Sequence, residues 1–142
     1  MNIELSFSPN EEDLKSIYDG LLSFNLPHFP EGIKEQNIAL LVRDKNKKII
    51  AGLTGTMILT SLSVKYLWLD ERHRGCGLGS QLLERIELEA IKHSVHHIYL
   101  DTFTFQAPKF YEKKGFKEVG RYKNFPVAGV DKIFYQKSLP LI

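Results

Sequence analysis

The chain has 142 residues, 43% apolar and 25% charged, the make-up of one soluble globular domain that can bury a core without crosslinks. Its formal net charge of +2 suits an anionic ligand but is too small to argue for nucleic acid, and a single cysteine, Cys76, excludes a disulfide framework or a cysteine-rich zinc site. The start, Met1-Asn2-Ile3-Glu4-Leu5, lacks the basic, apolar character of a signal peptide, and no run approaches membrane-spanning length. The expected compartment is therefore the reducing cytoplasm, with no membrane partner.

Ile3, Leu5 and Phe7 alternate with polar residues, the pattern of a half-buried strand. Ser8-Pro9-Asn10-Glu11 then predicts a helix start, with Ser8 as cap, Pro9 in the first helical position and Glu11 closing a capping box. Leu14, Ile17, Tyr18, Leu21 and Leu22 follow at helical spacing and define one apolar face. Residues 25 to 36 contain Pro27, Pro30 and Gly32 and read as a loop or broken helix.

Residues 38–43 and 48–59 read as strands joined by the polar turn Asp44-Lys45-Asn46-Lys47. Gly52 and Gly55 within the second mark a bulge or a close backbone approach. Residues 62–69 form a further strand rich in large apolar side chains. A charged, glycine-rich loop spans 70–79, and a helix follows with Leu82, Leu83, Ile86 and Ala90 on its buried side. Residues 98–100 are a short strand. Pro108, Phe110, Tyr111 and Gly115 outline a short helix, and residues 116–122 and 132–137 close the chain as strands. This order predicts a single α/β (α+β) domain over 1–142, built on a mostly antiparallel sheet of about six or seven strands covered by helices.

The segment richest in chemistry is Arg72-His73-Arg74-Gly75-Cys76-Gly77-Leu78-Gly79-Ser80, between a strand and a helix. Glycines let backbone N–H groups approach a ligand closely, and the helix that follows offers unpaired N–H groups and a positive dipole end. Arg72 and Arg74 add forked donors, so the loop is an anion site suited to phosphate. A P-loop would carry a lysine after its last glycine, where Ser80 and Gln81 stand. A dinucleotide fold would space its glycines G-x-G-x-x-G directly after the strand, which this loop does not.

Arg74-x-x-Gly77-x-Gly79 resembles the pyrophosphate-binding motif of the GNAT acetyltransferases, and Ala107-Pro108-Lys109-Phe110-Tyr111-Glu112-Lys113-Lys114-Gly115-Phe116 is similar to that family's A-x-x-F-Y-x-x-x-G-F segment. The two stand in family order, and the resemblance covers most of the chain. It implies the GNAT fold, a sheet of about six or seven strands flanked by about four helices, and a direct N-acetyltransferase that uses acetyl-CoA and no metal.

Residue by residue, the resemblance implies that Arg74, Gly75, Cys76, Gly77, Leu78, Gly79 and Ser80 cradle the pyrophosphate of CoA. Trp68, Leu69 and Asp70, on a strand that opens from its parallel neighbour, would pair with the pantetheine arm. A backbone N–H near Leu69 would stabilise the oxyanion, and Tyr111 would protonate the leaving thiolate. Asp101 is the first candidate for the base, ahead of His73 and Glu71. Thr104 stands where many members carry an asparagine, and Thr104 or Gln106 would replace that contact to CoA.

Cys76 lacks a partner histidine, so a covalent role is disfavoured, and His93, His96 and His97 read as a surface turn rather than a metal site. The acceptor is expected to be a small-molecule amine or a peptide, with walls drawn from residues 25–37, 54–63 and 122–132 and apolar character from Phe24, Phe29, Phe103 and Phe125. Rival readings are a non-catalytic acyl-CoA-binding regulator and a protein lysine or N-terminal acetyltransferase. The closing strands are candidates for a homodimer surface.

Overall fold

The computed structural model describes residues 1–29 and 34–141. Its elements run α1 (Glu11–Asn25), a 3-10 turn (Leu26–His28), β1 (Glu35–Arg43), β2 (Ile49–Ile58), β3 (Ser61–Leu69), a second 3-10 turn (Glu71–His73), α2 (Leu78–Lys92), β4 (His97–Phe103), α3 (Pro108–Lys113), β5 (Lys117–Tyr122) and β6 (Lys132–Ser138). The chain divides into two compact units, Met1–Lys34 and Glu35–Ile142.

In the first unit the expected strand at Ile3, Leu5 and Phe7 does not form. Alternation supplies a face, but a strand also needs a ladder for its N–H and C=O groups, and every ladder among the described residues lies within 35–138. The cap also differs from expectation. Asn10, not Ser8, caps α1, its Oδ1 accepting the Asp13 N–H at 2.7 Å, while the Ser8 N–H turns back to Ser6 Oγ at 3.2 Å. Asparagine is as good a cap as serine, and starting at Glu11 places Glu11, Glu12 and Asp13 in the first turn, where the helix dipole favours acids. The predicted broken helix around Pro27 is the first 3-10 turn, whereas Pro30 and Gly32 lie outside the described residues.

The second unit is a six-stranded sheet of order β1-β2-β3-β4-β6-β5, antiparallel except where β3 meets β4. Six is the lower of the expected numbers because residues 3–7 do not join, and among the described residues this unit carries the helices α2 and α3. The β1–β2 hairpin turns at 44–47, where the Asp44 carboxylate accepts the N–H groups of Asn46 and Lys48. α2 buries Leu82, Leu83, Ile86 and Ala90, the face its spacing predicts. Leu83, Ile86 and Ala90 join Leu53, Leu62, Ile98 and Tyr135 in the core. Lys137 ties the core's edge together, its Nζ 2.7 Å from both Glu87 Oε1 and the Lys114 carbonyl.

Both strand glycines mark close approaches. A Cβ on Gly52 would stand 2.9 Å from the Leu40 carbonyl oxygen, and one on Gly55 would stand 2.7 Å from that of Ser63. At Gly55 the β2–β3 register shifts: Thr54 faces Tyr66, Gly55 faces Val64, and Lys65 has no partner. Such a bulge bends its strand, and the bend in β3 positions the site.

Candidate active site

β3 and β4 pair only at their beginnings, Ser61 with His97, Leu62 with Ile98 and Ser63 with Tyr99. Beyond Ser63 comes the bulge at Lys65, and from there the two strands diverge. Each remains bonded to its other neighbour, β3 to β2 and β4 to β6, so the sheet opens as a V. The Asp70 N–H bonds back to Ile50 at 2.8 Å, towards β2. Strand alternation then turns the N–H groups of Leu67 and Leu69 into the V. The Leu69 carbonyl points the same way and accepts Arg74 Nε at 3.0 Å.

A cavity of about 1120 Å³ fills the V. One wall is β3 from Lys65 to Leu69, and the floor is the glycine loop with the start of α2. The opposite wall carries Asp101, Phe103, Gln106 and Tyr111. The loop is built for an anion. Gly75 and Gly77 adopt φ of +76° and +87°, where a side chain is strained, and a Cβ on either would meet no atom within 4 Å. Gly77 caps α2 without a side-chain bond, and the first helical bond is Gln81 N–H to the Gly77 carbonyl, leaving the N–H groups of Leu78, Gly79 and Ser80 free at the positive helix end. Arg74, anchored through Nε, keeps its outer nitrogens for a ligand. Gly79 serves packing instead, since a Cβ there would stand 3.3 Å from the Phe110 ring. These groups fit the diphosphate of a large, phosphate-bearing ligand.

At the other end of the V, Tyr111 packs its ring against Phe110, Phe116 and Tyr135, with centroids 5.2, 5.9 and 6.2 Å away. Its hydroxyl has no protein partner among the described residues, and the residue lines the cavity. Burial, reinforced by the Asp101 carboxylate, pushes its pKa up to about 12. An unfolded tyrosine ionises near pH 10, so below that pH the buried phenol contributes its full stabilisation, which is lost as pH rises towards about 12. Between about pH 9 and pH 11.5, wild type should lose about 2 kcal/mol more unfolding free energy than Tyr111→Phe, measured by urea denaturation. Equal losses would show that the phenol is not shielded.

Asp101 lines this cavity and a second one of about 500 Å³, which opens between Thr56, Ser63, Tyr99 and Phe134. Lys65 lines both as well, so the bulge on β3 and Asp101 on β4 mark the junction. Lys132 backs Asp101. Its Nζ lies 3.7 Å from Asp101 Oδ1 and 5.7 to 6.0 Å from the ring centroids of Phe103, Phe125 and Phe134.

Of the residues singled out from sequence, Trp68, Leu69, Arg74, Gly75, Gly77, Leu78, Gly79, Ser80, Asp101, Gln106 and Tyr111 share the large cavity. Asp70, Cys76 and Thr104 are not in its lining. The Asp70 carboxylate pairs with Arg72 at 3.3 Å, and Cys76 Sγ donates to the His73 carbonyl at 3.0 Å. The Thr104 hydroxyl accepts the Asp131 N–H at 3.2 Å, and the Thr104 N–H returns to the Asp131 carbonyl at 3.0 Å, so this residue fastens a loop. Gln106 is the one of the pair that reaches the cavity. Its Oε1 accepts the Phe103 N–H at 2.8 Å and the Thr102 hydroxyl at 3.0 Å, which leaves its amide nitrogen as a donor.

Glu71 and His73, the other candidate bases, do not line the cavity. Both ring nitrogens of His73 are buried without a hydrogen-bond partner among the described residues. His93 and His97 have separate hydrogen bonds, to the Glu89 carbonyl and to Ser138, and no cluster of His, Cys, Asp or Glu among the described residues is placed to hold a metal. Lys65, Lys132 and the small cavity's Thr56, Ser63, Tyr99 and Phe134 were not singled out individually from sequence. Gly55 on β2 signals the bulge, but no local signal places Lys65 opposite it or forms the ion pair, which arise from strand register.

Residues 36–118 match the family model described as an acetyltransferase (GNAT) domain. The chain is 33% identical over 120 residues to acetyltransferase Atu2258 of Agrobacterium fabrum, covering 84% of this chain and 87% of that one. It is 34% identical over 80 residues to blasticidin-S acetyltransferase of Streptomyces morookaense, covering 56% and 59%. A crystal structure of an acetyltransferase from Bacillus cereus superposes with a TM-score of 0.89 at 34% identity over 98% of each chain. The chain belongs to the GNAT acetyltransferase family, and it is an enzyme of that class. No helix among the described residues is long and apolar enough to cross a membrane.

Proposed function

We propose that the protein is a single-domain enzyme that transfers an acetyl group from acetyl-CoA directly to a primary amine of a small molecule. The observation that carries this reading is the meeting of two cavities at Lys65 and Asp101, one with a diphosphate cradle at its far end and one of small-molecule size. The likeness to blasticidin-S acetyltransferase, whose name states a small-molecule acceptor, favours a small molecule over a protein.

Acetyl-CoA, when bound, supplies an acetyl thioester activated towards an amine. The chain's own groups do the rest. The free N–H groups of Leu78, Gly79 and Ser80, with Arg74, hold the diphosphate. The open edge of β3 offers N–H groups at Leu67 and Leu69 to an extended arm, and the inner of these is available to the carbonyl oxygen as it gains negative charge. The Gln106 amide nitrogen adds a donor on the facing wall. Tyr111 keeps its proton at neutral pH and presents it to the departing sulfur. Asp101, at the junction, receives the incoming ammonium and accepts its proton, directly or through water. Holding both reactants in one V converts a bimolecular encounter into an oriented one.

Release of free CoA, followed by thiol titration across amines, amino acids, aminoglycosides and lysine peptides with Gly77→Glu as the blank, tests this. Acceptor-dependent release is expected for small amines. Binding of acetyl-CoA without release to any acceptor would sink the reading, and release to lysine peptides alone would replace the small molecule with a protein.

A further inference from the structure

The charges at the junction carry an inference about the acceptor, one that rests on the acetyl-transfer reading above. Only two charged residues line the smaller cavity, Lys65 and Asp101, and they stand on opposite arms of the V. The remaining lining is apolar or hydroxylic, with Thr56, Ser63 and Tyr99 among the hydroxyls. A pocket lined by one cation and one anion matches a ligand with both signs of charge, and opposes one carrying two cations or two anions.

The two charges are not equivalent. The Asp101 carboxylate is held by Lys132, itself seated against three phenylalanine rings, so the anion is fixed in place. Asp101 lines the large cavity together with the buried Tyr111, whose phenol feels its charge, so an ammonium drawn to it arrives at the reacting end of that cavity. Lys65 has no carboxylate within ion-pair distance among the described residues, and its Nζ lies over only the neighbouring Tyr66 ring, 5.4 Å from the centroid. Acids elsewhere in the unit have their own partners: Glu118 and Asp131 both pair with Arg121, and Glu112 accepts the Tyr135 hydroxyl. No carboxylate among the described residues answers the Lys65 charge.

We infer that the acceptor is a zwitterionic amine, an amino-acid-like molecule whose ammonium is received by Asp101 and whose carboxylate is received by Lys65. The unpartnered lysine on the β3 bulge is then the specificity-determining residue, and the bulge exists in part to aim it at the junction.

The test compares three matched acceptor series of graded chain length: ω-amino acids, the alkylamines lacking the carboxylate, and the diamines carrying a second ammonium in its place. The readout is kcat/KM for CoA release. The best amino acid should exceed its matched alkylamine by about tenfold or more, the scale of one charge-assisted contact, and the diamine should be the poorest. Lys65→Gln should bring the amino acid down to the alkylamine level, and Lys65→Arg should keep most of the preference. Equal rates for matched amino acid and alkylamine, or a preference for diamines, would overturn the inference while leaving acetyl transfer to small amines intact. So would a Lys65→Gln loss of the same size in all three series, which would make Lys65 a donor-site or folding residue. Release in none of the series, with acetyl-CoA bound, would overturn the inference together with the reading beneath it.

Discussion

Gly77→Glu is expected to raise the dissociation constant for acetyl-CoA by about a hundredfold or more while leaving the protein folded. Gly77 holds a left-handed φ of +87° as the cap of α2, and a Cβ built there meets no protein atom within 4 Å. The protein therefore accommodates the new side chain sterically, and the strain of the left-handed backbone costs about 1–2 kcal/mol. The ligand does not accommodate it, because the carboxylate would enter the cradle formed by the free N–H groups of Leu78, Gly79 and Ser80. Charge repulsion then adds to lost contacts. Gly79 would be a poorer choice, since a side chain there strikes the Phe110 ring and damage to packing would mimic damage to binding. Isothermal titration with acetyl-CoA, beside a circular-dichroism melt, reads the two effects separately. Gly77→Ala supplies the strain without the charge and should weaken binding much less. Wild-type affinity in a folded Gly77→Glu protein would remove the loop from the donor site.

The glycine loop was legible because its chemistry is local: left-handed backbone, a following helix and an adjacent arginine are all consecutive in sequence. The buried face of α2 was legible for the same reason, since Leu82, Leu83, Ile86 and Ala90 follow the helical period. β4 shows where locality ends. Only residues 98–100 read as strand, because Asp101 interrupts the apolar run, yet β4 extends over His97–Phe103. Ile98, Leu100 and Thr102 bury one face, while Tyr99, Asp101 and Phe103 turn to the other and make the site. The V, the unpaired Lys65 and the Lys132–Asp101 contact depend on which strands neighbour which, and composition does not encode that. Thr104 and Gln106 were alternatives for one contact to CoA by position in a motif, and the Thr104 hydroxyl accepts from Asp131, a partner 27 residues away that no motif announces. Ile3, Leu5 and Phe7 carry the mirror lesson, a strand pattern with no ladder to join.

Tyr111→Phe is expected to lower kcat by about a hundredfold or more, within the range for a lost general acid, and to leave acetyl-CoA affinity nearly unaltered. The substitution is clean because the hydroxyl has no partner among the described residues, so the packing of the ring against Phe110, Phe116 and Tyr135 survives. With its pKa near 12, the phenol is a weaker acid than an ordinary thiol, which ionises near 8.5. Complete transfer to a fully formed thiolate would run uphill. In the proposed mechanism Tyr111 would therefore act by donating a hydrogen bond as negative charge gathers on sulfur, with full proton transfer only as the amine's own proton is passed on towards Asp101. Two consequences separate this role from a structural one. The kcat profile of the wild type should show no loss from tyrosine ionisation below about pH 10. In single-turnover experiments, where product release is excluded, the deficit of Tyr111→Phe should persist undiminished. A deficit confined to steady state, or a raised KM for acetyl-CoA at unchanged kcat, would show that Tyr111 only shapes the donor cavity.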